Sequence, residues 1–131
     1  MASGQTRMEE MKINSYKDLI VWQKAMDLAA EIHLLSKAFP REELYGLTSQ
    51  VRRAAVSVPS NIAEGQARQS TAEFLNFLSI AQGSLAEVDT QIMLAQRFHY
   101  LTSETAAKAV SLSIEVSKML SSLRAKLTTR H

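Results

Sequence analysis

Seven apolar residues, Phe74, Leu78, Ala81, Leu85, Val88, Ile92 and Ala95, follow one another in alternating steps of four and three. That rhythm puts all seven on one face of an α-helix, whereas a strand would divide them between two faces. Ser70-Thr71-Ala72-Glu73 stands directly before the run as a capping box, so the helix start is also encoded. Three other segments share the pattern. Val21, Ala25, Leu28, Ile32, Leu35 and Phe39 form a stripe widened by Trp22, Met26 and Ala29. With Ser15 and Asp18 at its start and Pro40 at its end, it predicts a helix over 16–38. Leu44, Leu47, Val51, Ala54, Val58 and Ile62 predict a second, opened by Glu42 and Glu43 against the positive end of the helix dipole. Ala109, Leu112, Val116, Leu120, Leu123 and Leu127 predict a fourth, capped by Thr102 with Glu104.

Punctuation is scarce, with four Gly and two Pro in 131 residues. Turn-rich sheets and phosphate-cradling loops need more of both, so long uninterrupted elements follow. Pro40 separates the first two helices. Pro59 falls inside the second, where it removes a backbone donor and presses on the preceding turn. A kink and a break both accommodate it. The apolar phase continues from Ala54 through Val58 to Ile62, which favours the kink. Gly65 reads as the approach to that helix's end. Gly46, costly inside a helix, suggests a close backbone approach. The expected fold is all-α: an antiparallel, up-down-up-down four-helix bundle over 15–128, with helix 2 kinked at Pro59. Residues 1–14 and 129–131 read as tails.

Composition removes several classes of function. The chain has no Cys, which excludes disulfides and thiolate chemistry and fits a reducing, cytoplasmic setting. No apolar run approaches the ~20 residues of a bilayer span, so no membrane partner is expected. His33 and His99 belong to no metal-binding spacing and read as surface or helix-end residues. Glu87 and Asp89 diverge around their helix, and no serine sits in a nucleophile elbow. No catalytic residue, metal or cofactor is expected, and the chain reads as a non-enzyme.

Two polar features remain. Gln50, Arg53, Ser57, Asn61, Glu64 and Arg68 form a line on the second helix, with Arg52 at its flank. It suits a solvated face with a Glu64–Arg68 pair, an intersubunit contact through Ser57, Asn61 and Glu64, or phosphate binding by Arg52, Arg53 and Arg68. Asn and Ser here would also bond the carbonyl that Pro59 leaves free. The C-terminal end, 118–131, carries Lys118, Arg124, Lys126 and Arg130 with no acid. It suits either a helix dipole's negative pole or a nucleic-acid backbone. Trp22 and Tyr45 read as packing or as an oligomer interface.

The pieces Asp18-Leu19 with Val21-Trp22-Gln23, Phe39-Pro40 with Tyr45-Gly46-Leu47, and Ser84-Leu85-Ala86-Glu87 are distinctive. So is Arg52-Arg53-Ala54-Ala55 running into Ser57-Val58-Pro59-Ser60-Asn61-Ile62-Ala63-Glu64-Gly65. Over roughly 15–102 the chain resembles the 23S rRNA intervening-sequence proteins, also called the S23 ribosomal protein family. The resemblance implies a four-helix bundle, a ring-like homopentamer, an RNA connection and no established enzymatic activity. Accessory proteins of diversity-generating retroelements are similar in fold, which implies a reverse transcriptase as a further possible partner. The net charge is modest: five copies, at +2 each, carry +10.

Overall fold

The computed structural model describes residues 15–129. The four stripes become α1 (Ile20–Ser36), α2 (Leu47–Ala67), α3 (Thr71–Arg97) and α4 (Ser103–Thr129). Short 3-10 turns at Tyr16–Asp18 and Arg41–Glu43 precede α1 and α2. The described residues contain no strand. The expected tail over 1–14 lies outside the described residues, as do 130–131 of the tail expected over 129–131, whose first residue, Thr129, is instead the last of α4.

Both early helices begin later than their spacing predicts. Ser15 does cap, but its oxygen accepts from Lys17 N–H at 3.1 Å and closes only a 3-10 turn. Leu19 is then extended, and α1 starts at Ile20. Glu42 and Glu43 likewise lie outside α2, in the turn before it. Glu43 still serves the helix from there, since its Oε1 accepts from Leu47 N–H at 3.0 Å. A Cβ on Gly46 would lie 2.8 Å from that oxygen and dislodge it. Gly46 therefore makes room for a cap rather than for another helix. Leu44, expected in the core, falls off the stripe with the turn and is exposed.

α2 runs unbroken through Pro59, which excludes the reading of a break and a fresh start. It ends at Ala67, two residues past Gly65, which agrees with the reading of Gly65 as the approach to that end, and Gly65 has a second role. A Cβ there would meet Phe77 Cβ at 2.8 Å and Phe74 Cδ1 at 2.9 Å, so Gly65 lets α2 and α3 approach closely. Ser70 caps α3 as predicted, accepting from Glu73 N–H at 3.1 Å. At α4, Thr102 caps as expected, but Thr105 reciprocates in place of Glu104: Thr105 N–H donates to Thr102 Oγ1 and Thr102 N–H to Thr105 Oγ1. α3 ends without glycine. His99 takes the left-handed conformation (φ 64) while Tyr100 N–H returns to the Ala95 carbonyl at 2.8 Å.

Around the bundle the order is α1, α2, α3, α4 and back to α1, and diagonal helices are not neighbours. Cross-helix pairs fix the directions. Lys24 meets Glu115 while Glu31 meets Lys108, so α1 and α4 run oppositely. Ser57 meets Ser84 while Gly65 faces Phe77, so α2 and α3 do too. Gln82 meets Ser121 and Asp89 meets Ser113, which reverses α4 against α3. The centre is filled by Leu28, Ile32, Val58, Ile62, Leu78, Leu85, Ile92, Val116 and Leu120, all of them stripe residues. Each contributes ~1.5–3 kcal/mol relative to exposure.

Candidate functional site

The polar line of α2 does not act as one surface. Arg52 is half-buried, donating from Nε to Ser36 Oγ at 2.7 Å and from Nη2 to the His33 carbonyl at 3.4 Å. It places a cation on a carbonyl of the last turn of α1, where the helix dipole is negative. Arg68 lies sixteen residues on, ~24 Å along the helix. It pairs with Glu64 at 2.9 Å and Glu73 at 3.9 Å and stands over the Phe77 ring at 5.0 Å. Arg53 is exposed and donates to Ser49 Oγ at 3.3 Å. Arg52, Arg53 and Arg68 therefore do not converge on one phosphate site.

Ser57 and Asn61 are half-buried between α2 and α3. Ser57 Oγ lies 2.7 Å from Ser84 Oγ, and Asn61 Nδ2 donates to the Ser57 carbonyl at 2.8 Å and Oγ at 2.9 Å. Asn61 thus reaches one turn back along its own ridge, not to the Ala55 carbonyl beside Pro59. Gln50, Arg53, Ser84, Glu87 and Gln91 complete a polar groove of about 350 Å³ here. Gln91 Oε1 is closed off in its wall without a donor among the described residues.

The basic C-terminal end is dispersed. Lys118 and Lys126 are exposed on α4 and form no ion pair among the described residues. Arg124 is half-buried and donates to Gln82 Oε1 on α3. Arg130 lies outside the described residues.

Trp22 and Tyr45 fall on one side of the bundle. Trp22 is half-buried, edge-on to Tyr16 with ring centres 5.2 Å apart. With Met26, Ala29, Ala30, Val56 and Pro59 it lines a hollow of about 530 Å³ between α1 and α2. Val56 is shared with a second hollow of about 560 Å³ that includes Leu44, Thr48, Arg52 and Tyr45, the last 94% exposed. The apolar α1–α2 side is continuous through Val56.

Two features escape sequence reasoning. Met93, Val110 and Ile114 give the α3–α4 side its own apolar hollow of about 630 Å³. Its signal is visible in the chain, because Val110 and Ile114 sit off the Ala109–Leu127 stripe. The second is a joint between the connections. Tyr100 Oη donates to Glu43 Oε2 at 2.8 Å, and its ring lies 5.5 Å from that of Phe39. Bonds from Leu47 N–H and then Tyr100 hold the Glu43 carboxyl below the usual carboxylate range. The Glu43 bond, burial and nearby carboxylates push the Tyr100 phenol up. The described residues hold no group of three His, Asp or Glu that could hold a metal, and no helix long and apolar enough to cross a membrane.

Residues 17–122 match the family described as 23S rRNA-intervening sequence protein. Among solved structures, the chain is similar to a protein of unknown function from the S23 ribosomal protein family of Bacteroides thetaiotaomicron VPI-5482. The two are 30% identical with a TM-score of 0.74, over 80% of this chain and 98% of that one. No curated protein matches the chain.

Proposed function

Because the chain belongs to the family of 23S rRNA-intervening sequence proteins, we propose that it is a non-catalytic bundle that works as a homo-oligomer in association with RNA. The observation that carries assembly is the α1–α2 side, where Trp22, Met26, Val56 and Tyr45 leave a continuous apolar surface facing solvent. A ring of five copies is the assembly that the family resemblance suggests. A non-catalytic role is supported by how the reactive side chains are used. Glu43 caps a helix, Arg52 closes another, and Arg68 bridges two acids. The cytoplasm suits a chain without cysteine.

The RNA part rests on the family's description and on Arg53, Lys118 and Lys126, which are exposed and meet no acid among the described residues. Repeated around an oligomer, such cations would release counterions from a phosphate backbone. A second reading is favoured by the same apolar side: an assembly or protein-partner module, a reverse transcriptase included, with no RNA bound.

Sedimentation of the purified protein, alone and with a structured RNA, tests both. The expected result is a five-copy species whose RNA affinity is tighter than about micromolar at low salt and falls ~10-fold or more as salt rises severalfold. Replacing Arg53, Lys118 and Lys126 together by Ala should flatten that salt dependence. A monomer overturns the assembly reading. Binding indifferent to salt and to all three substitutions overturns the RNA reading and leaves the partner module.

A further inference from the structure

The four sides of the bundle differ in what they offer. The α4–α1 side is crossed by Lys24–Glu115 at 3.4 Å and Lys108–Glu31 at 3.9 Å. The α2–α3 side is a polar groove closed at its centre by Ser57 and Ser84. The two apolar sides are α1–α2 and α3–α4, and the cyclic order of the helices sets them back to back. Val56 is 56% exposed on the first, and Met93 and Ile114 are 56% and 52% exposed on the second.

Two unlike apolar sides facing opposite ways are what a head-to-tail contact requires, because each copy must give one patch and receive another. Charge supports that pairing over self-pairing. The hollow around Tyr45 is lined by Arg52 and Arg53 with no acid, and that around Ile114 by Glu115, whose partner Lys24 stands outside the hollow on α1. Pairing the α1–α2 side with its own twin would set arginine against arginine. Size is adequate as well. α2 is ~31 Å long and a helix pair is ~20 Å across, which is ~600 Å² in flat projection. Side-chain relief brings this near the ~800 Å² per partner that stable interfaces bury.

We propose that the α1–α2 side of one copy receives the α3–α4 side of the next, with Val56 and Tyr45 against Met93 and Ile114. The contact is heterologous, so it does not stop at a dimer, and it makes a ring when the rotation from copy to copy closes. This rests on the assembly reading above and names the two surfaces that make it.

The test uses two full-length variants, Val56→Arg and Ile114→Arg, each checked for wild-type helicity and melting. Each disables one side and leaves the other intact. Alone, each should sediment as a single copy, with self-association weakened by at least about 30-fold. Mixed in equal amounts, they should form a species of two copies and nothing larger, since one intact pair of surfaces remains. Persistence of the wild-type oligomer in either variant overturns the proposal, as does a mixture that stays single-copy. A single-copy wild type overturns the assembly reading itself, which separates the two failures.

Discussion

Glu43 holds two donors with one carboxylate: Leu47 N–H at the start of α2, and Tyr100 Oη from the connection before α4. Both bonds favour the ionised form, so the folded chain binds this proton less readily than the unfolded chain. The resulting stabilisation is present above the usual carboxylate range and is lost as pH falls through the depressed folded value. Tyr100 acts at the other end of the scale. Its phenol is raised, so its contribution is present below the ordinary tyrosine range and lost as pH rises through the folded value. Glu43→Gln keeps one acceptor and removes the charge. At neutral pH the variant should unfold at lower urea than wild type, and the gap between the two midpoints should narrow on acidification. A gap unchanged between about pH 7 and about pH 3 would refute the linkage.

At the scale of elements, the separation of α2 and α3 is set by a missing side chain. Gly65→Ala would place a Cβ 2.8 Å from Phe77 Cβ, and the helices must part or Phe74 must turn. A destabilisation of ~1–3 kcal/mol is expected in urea unfolding. Gly83 is the control: it lies within α3 with open space where a Cβ would project, so Gly83→Ala should stabilise by ~0.5–1 kcal/mol. The contrast also shows what spacing reveals. The core stripes and the Ser70 cap are legible because their partners recur within a few residues, at helical intervals. The role of Gly65 is not, because Phe74 and Phe77 reach it from the next helix. The start of α2 is obscured in the same way, since Glu43 answers to a tyrosine 57 residues away. The candidate site suffers most. Arg52 and Arg124 look available in the chain, yet Ser36 and Gln82 engage them across 16 and 42 residues. The Glu64–Arg68 pair, one turn apart, can be read directly.

For the molecule as a whole, the proposed assembly would be linked to stability. Copies that bind one another only when folded stabilise the fold by mass action, so the melting temperature should rise with protein concentration. Scanning calorimetry over about a hundredfold range should show a steady upward shift for wild type, and none for Val56→Arg. A concentration-independent wild type would contradict linked assembly. The bundle's two ends also differ in how they are tied. At one, Glu43, Tyr100 and Phe39 join the α1–α2 connection to the α3–α4 connection, elements distant in the chain. At the other, Arg68 bridges Glu64 and Glu73, which a short connection already holds together. Fluctuations should therefore have a direction: amide exchange is expected to be faster where α1 begins and α4 finishes than at the end that Tyr100 holds shut.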